Sequence, residues 1–201
     1  MSIVLLGSTS GSCTLQEQAV AGTSVLTLPV GTGTVVANNV NSAIVSGTAV
    51  TAATGSPTAI DFTSIPSWVK RITVMFRGVS LSSTANFLVQ LGTGATPTYT
   101  TSGYISTSNN FNQSSTSSGT NNTTGFVILS GGGAAGVLSG SLVISSIDTN
   151  IWIANGVTKA NTTQMQISAG DVALAATLTA VRITSTSTDT FDAGTINILY
   201  E

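Results

Sequence analysis

One short stretch limits the possible folds of this chain more than any other. From Arg71 to Val79, Ile72, Val74 and Phe76 alternate with Arg71, Thr73, Met75 and Arg77. Side chains of period two stand on opposite faces of a strand, so the spacing predicts a strand with its Ile–Val–Phe face in a core. The β-branched and aromatic residues suit a pleated, half-buried surface. Upstream, Ser64-Ile65-Pro66-Ser67-Trp68 reads as a tight turn, because Pro66 fixes its own φ and restricts Ile65. At the other end, Ile196, Ile198 and Tyr200 alternate with Thr195, Asn197 and Leu199, predicting a second strand of the same kind.

Composition extends this reading to the whole chain. Charged residues make up 6% of the 201, against about 25% in an average globular protein, while 41% are hydrophobic. Such a surface is wetted by hydroxyls and amides. Thr, Val, Ile and Ser dominate the periodic segments and Lys/Glu-rich helices are absent, which predicts an all-β protein of many short strands. The mean hydropathy of +0.41 argues against disorder. Five basic residues in a chain of net charge −2 do not supply the phosphate neutralisation that nucleic-acid binding needs. There is no apolar run long enough for a membrane helix, and Met1–Leu6 is too short and lacks the basic start of a signal peptide. The expected site of synthesis is a cytoplasm. Cys13 is the only cysteine, so no intrachain disulfide can form.

Taken in order, residues 1–37 form a first unit of four short apolar runs (Ile3–Leu6, Cys13–Leu15, Val25–Leu28, Val35–Val36) separated by glycines. Strands this short bury little alone, which predicts an anchoring or assembly unit that pairs with other chains. Residues 38–55, without charge or aromatic, read as a linker lying against a neighbouring copy. Residues 56–201 read as one antiparallel β-sandwich of the jelly-roll kind. Within it, Asn155-Gly156 is the best hairpin signal, and Ser168–Asp171 marks a loop between two strands. The run Ser106–Thr124, with no aliphatic residue, predicts a long exposed loop anchored by Phe111.

Catalytic chemistry finds few candidates. Without histidine there can be no histidine triad, Cys–His dyad or histidine metal site. Of the carboxylates, Asp189 and Asp192 are the closest pair, and both, like Asp148, read as turn residues bonding the backbone. The Asp-x-Asp pattern of a calcium loop is missing. Gly131–Gly136 matches G-x-G-x-x-G, but a strand follows where a dinucleotide site needs a helix. The Asn-x-Ser/Thr triplets at Asn112, Asn121, Asn122 and Asn161 have no consequence in a product that stays in the cytoplasm. No catalytic residue, metal or cofactor is expected. Tyr99, Tyr104, Phe111 and Trp152 are the candidates for contact with a receptor or sugar, with ordinary packing as the competing reading. Asp61 is expected to pair across its hairpin with Arg71 or Arg77, which share a strand face.

The run Ile60–Phe76, IDFTSIPSWVKRITVMF, resembles a strand-turn-strand of the C-terminal domain of small virion proteins of tailed bacteriophages, including fibre-type proteins. The closing Phe191–Glu201 resembles the last strand of that domain. Gly7–Gly11, Thr14–Leu15, Ala19–Thr23, Leu26–Pro29 and Gly33–Val35 resemble a segment at the N-termini of such proteins, with Glu17 a departure from it. Residues 81–180 match poorly. The resemblance implies a structural virion component, commonly a homotrimer, attached to other virion proteins through residues 1–55. Its sandwich would face the host surface, with a surface glycan as a possible ligand. A capsid decoration or head-fibre role is the alternative, and a free-standing carbohydrate-binding module is a third, distinguished by glycan binding of a monomer.

Overall fold

The structure, a computed structural model, describes residues 2–6, 12–16, 44–113, 117–130 and 136–201. The chain divides into two units, 1–37 and 38–201. In the first, β1 (Ser2–Leu6) and β2 (Ser12–Gln16) form an antiparallel hairpin with Ser2 opposite Gln16 and Leu6 opposite Ser12. These strands match two of the expected apolar runs. The other two, like Gly131–Ala135, lie outside the described residues.

The second unit is all-β among its described residues. Its strands are β3 (Val45–Ser46), β4 (Val50–Thr51), β5 (Ile60–Phe62), β6 (Arg71–Leu81), β7 (Phe87–Thr93), β8 (Thr98–Tyr99), β9 (Ile105–Asn112), β10 (Ser117–Asn122), β11 (Phe126–Ile128), β12 (Leu138–Asp148), β13 (Ile151–Lys159), β14 (Gln164–Ala173), β15 (Leu178–Ser185) and β16 (Phe191–Tyr200). A nine-stranded antiparallel sheet runs β10-β9-β14-β13-β12-β6-β16-β3, with β4 also on β16. A five-stranded sheet runs β11-β7-β15-β5, with β8 on β7. The two pack into a β-sandwich.

Strand β6, with the alternating Ile72, Val74 and Phe76, sits near one end of the larger sheet. Ile72, Val74 and Phe76 on β6 are buried, as are Ile196 and Ile198 on β16 and Leu142 and Ile144 on β12. Phe76 meets Phe87 of the smaller sheet at 6.4 Å between ring centroids, and Phe87 meets Phe191 at 6.2 Å. Each such side chain contributes about 1.5–3 kcal/mol by leaving water. The expected turn carries the chain between the sheets: Val69 N donates to Pro66 O at 3.1 Å, Ile65 and Val69 are buried, and Trp68 packs against Tyr200 at 6.0 Å. Past Phe76, Gly78 (φ 64°) and Gly194 (φ 89°) face each other at bulges in both strands. A Cβ on Gly194 would lie 2.4 Å from Gly78 O, so these backbones approach closely only because residue 194 is glycine, whereas Gly78 answers to its positive φ.

Four expectations give way to tertiary context. Asn155-Gly156 is not a turn but the middle of β13. The β12–β13 hairpin turns instead at Thr149-Asn150, where Asn150 has φ 61°. Gly156 serves close approach: a Cβ there would lie 2.5 Å from Ser141 O. Ser168–Asp171 is likewise no loop, because β14 runs through it. Gly170 would bring a Cβ within 2.6 Å of Ile105 O. The polar run 106–124 is no exposed loop over its described residues, for β9 and β10 form a hairpin there with Ser108 opposite Thr120. Residues 44–55, expected in a linker against a neighbouring copy, lie along their own chain's closing strand, with Leu199 opposite Ser46 and Ile196 opposite Val50.

Why β9 is polar follows from what lies across from it. β11 is an edge strand of the smaller sheet, and its outward N–H groups need acceptors. Ser106 Oγ accepts from Val127 N at 2.9 Å and Ser108 Oγ from Leu129 N at 3.2 Å. Ser168 of β14 then donates to Ser108 at 2.9 Å. Small hydroxyls on the inner face of β9 thus take the place of a neighbouring strand.

Candidate functional site

The four aromatic candidates do not converge. Tyr104 is buried in the core, where it meets Phe126 edge-on at 5.0 Å and its hydroxyl accepts from Leu91 N at 2.8 Å. Burial raises its pKa to about 12. Trp152 is also buried, pointing inward from β13 while Ile151 and Ile153 point outward; its Nε1 is buried without a hydrogen bond. Tyr99 lies half-buried on the smaller sheet, its ring over the small Gly92, with the Arg182 guanidinium carbon 3.9 Å from the ring centroid. Only Phe111 is exposed, on the outer face of the larger sheet. Packing explains Tyr104 and Trp152, so neither is placed to touch a receptor.

The ion pairs are also rearranged. Asp61 does not pair with Arg71 or Arg77. It accepts two parallel bonds from Arg182, Nε to Oδ1 and Nη2 to Oδ2, both 2.8 Å, because β15 rather than β6 is the neighbour of β5. This pair flanks Tyr99, whose pKa rises to about 12 through burial first and the Asp61 charge second, with Arg182 opposing. Arg71 pairs with Glu201, whose backbone also bonds Lys70 and Arg71. Arg77 has no ion-pair partner among the described residues. Asp189 accepts from Ala85 N at 2.9 Å and Asp192 from the Ser80 hydroxyl, so both carboxylates brace strand ends. Asn122 and Asn161 accept from the backbone N–H of Thr124 and Thr163 at 2.7 and 2.8 Å, which gives two of the Asn-x-Thr triplets a role as Asx turns.

What the structure does bring together is the outer face of β9, β14 and β13. Across these strands Phe111 is opposite Met165, which is opposite Lys159. Farther along, Asn109, Ile167 and Val157 form a row, and so do Ile105, Asp171 and Ile153. All of these are exposed. Through β12 and β6 the face continues over Ser141, Val143, Thr73 and Met75. Two shallow depressions mark it, one about Phe111, Val157 and Met165, the other about Ile105, Ile153 and Ala169. The inner face of the same strands carries Ser106, Ser108, Asn110, Thr158, Gln166 and Ser168, all buried. Thr158 bonds Gln166 Oε1 at 3.3 Å, whereas Gln166 Nε2 and Asn110 Oδ1 find no partner.

Sequence reasoning missed this face because alternation identifies two sides of a strand without saying which is inward. The signal was present in Ile151, Ile153 and Val157 against Thr158, and in Met165 and Ile167 against Gln166 and Ser168. Read alone, it sends the aliphatic set into the core. Among the described residues no three of His, Cys, Asp and Glu come together. No family model matches the chain, and no curated protein or solved structure matches it either.

Proposed function

We propose that this chain is a structural, fibre-type component of a tailed-phage virion. It acts as a homotrimer held to the particle through its N-terminal unit, with the sandwich turned toward the host surface. The observation that carries this reading is where the resembling residues lie. Ile60–Phe62 is β5, Ser64–Val69 the turn between sheets, Arg71–Phe76 the start of β6, and Phe191–Tyr200 the strand β16 beside it. Stretches far apart in sequence form one continuous piece, closed by Trp68 on Tyr200 and by Arg71 with Glu201. That continuity supports reading them as a single structural unit rather than as separate coincidences of pattern. The sparse charge of the chain suits a surface packed among many copies.

The test is to trace this chain in a reconstruction of the whole particle, together with competition of phage adsorption by the purified protein. Sandwich density on the tail and inhibited adsorption are expected. Density on the capsid, with adsorption unaffected, would move the role to decoration. Absence of the chain from purified particles would overturn the proposal.

A further inference from the structure

Over part of their length strands β9, β13 and β14 are inside out with respect to an isolated sandwich, while Trp152, Ala154 and Val172 still point into the core. An antiparallel sheet with one wet face normally turns its apolar set inward and its polar set to water. Here serine, threonine, asparagine and glutamine fill much of the inner side, while the outer side leaves Ile105 72%, Val157 53%, Phe111 49% and Met165 45% exposed. Scattered exposed apolar residues are ordinary, but a contiguous set on neighbouring strands marks an interaction surface. We infer that this outer face is where copies of the chain pack on one another, so that the alternation of these strands satisfies an intermolecular core instead of an intramolecular one. The inference rests on the multi-copy part of the functional proposal and is independent of the virion part.

Charge favours a second copy as the occupant. Three neighbouring strands, β9, β14 and β13, at about 4.8 Å spacing and about nine residues of 3.3 Å rise give a patch of roughly 14 by 30 Å, or about 430 Å². That is about half of the ~800 Å² each partner contributes to a standard stable interface, so the patch is the apolar centre of such an interface rather than all of it. Two charges frame the apolar patch. Lys159 stands in the Phe111–Met165 row at one end and Asp171 in the Ile105–Ile153 row at the other, both exposed and without an ion-pair partner among the described residues. Arg71, farther along the face, is already paired with Glu201. A rotation axis parallel to the face and crossing its strands, two-fold or three-fold, carries the Lys159 end of one copy to the Asp171 end of the next. The face is therefore complementary to itself in charge as well as in polarity, which is what a closed homo-oligomer requires.

The experiment uses the full chain in sedimentation velocity over a concentration series. Oligomers are expected from the intact protein. Val157→Glu, which places an unpaired charge in the patch, should raise the dissociation constant by ~100-fold or more. Lys159→Asp or Asp171→Lys alone should raise it ~10-fold or more through like-charge contact, and the double exchange should return it to within about 3-fold of the intact chain. Because the N-terminal unit could hold copies together on its own, peroxide oxidation of Met165, followed by peptide mass spectrometry, gives a readout at the face itself. It should proceed ~10-fold more slowly in the intact chain than in Val157→Glu. An intact chain that stays monomeric, a double exchange no better than the singles, or equal Met165 oxidation in both proteins overturns the inference. A monomer found on particles would sink this inference and leave the virion reading standing. An oligomer absent from particles would do the reverse.

Discussion

Strands β6 and β14 belong to one sheet and alternate equally well, yet they resolve the alternation in opposite senses. β6 turns Ile72, Val74 and Phe76 inward under the smaller sheet and leaves Arg71, Thr73 and Met75 outside. β14 turns Gln166 and Ser168 inward and Met165 and Ile167 outward. The difference lies in the neighbour across the sandwich. Opposite β6 stand aromatic rings such as Phe87, which reward apolar area. Over β9 and β14 lies the edge strand β11, whose N–H groups must find acceptors. A sheet can thus hold two solutions side by side, one dry and one hydrogen-bonded. The hydrogen-bonded half exports its apolar residues to a surface that another molecule can use.

The largest effect expected from breaking this contrast is in the dry half. Phe76→Ala or Phe191→Ala should cost about 3–5 kcal/mol in urea unfolding, since each leaves a cavity among buried rings. In the hydrogen-bonded half, Ser108→Ala should cost about 1–3 kcal/mol, because it strands Leu129 N–H and the Ser168 hydroxyl. Hydrogen exchange should quicken at Leu129 while the amides of β6 keep their protection. A loss confined to β6 would show that the serine ladder does not hold β11.

Alkaline pH probes two tyrosines outside this contrast, Tyr99 on the smaller sheet and Tyr104 in the core. The folded-state pKa values of Tyr99 and Tyr104, about 12, lie above the ordinary value of 10.0. The folded protein therefore holds these protons more tightly. The stabilisation is fully present below pH 10 and is lost as pH rises through 12. Melting temperature followed from pH 9 to 12 should fall over that window, and absorbance at 295 nm should show the two ionising late. Ionisation of both at pH 10 in the folded state would refute the assignment.

Smaller still is Asp61→Asn. It removes a two-bond ion pair whose side chains are each 33% exposed, and a cost below about 1 kcal/mol is expected in the same urea experiment. The smallest change should come at the outward face. In dissociated protein Phe111→Ser should shift stability by no more than about 0.5 kcal/mol, although it sits in the same sheet as Phe76. A large loss there would mean that Phe111 packs within its own chain.

By itself the sequence determined the all-β class, the strand at Arg71–Val79, the turn at Pro66 and the closing strand with Ile196 and Ile198 inward. These features are local: period two, a fixed φ and β-branched residues act over a few positions and need no partner to be read. What only the tertiary structure decided was direction and pairing. Asn155-Gly156 carries a turn signature, but its glycine was required where β13 presses against Ser141. The serines and asparagines of 106–112 look like loop residues, and became a strand because β11 needed their hydroxyls. Asp61 could pair with any arginine the topology brought beside it, and strand order brought Arg182 rather than Arg71. Which face of β13 and β14 points inward could not be read from alternation, because period two is symmetric between the faces. Only the elements stacked against a sheet break that symmetry.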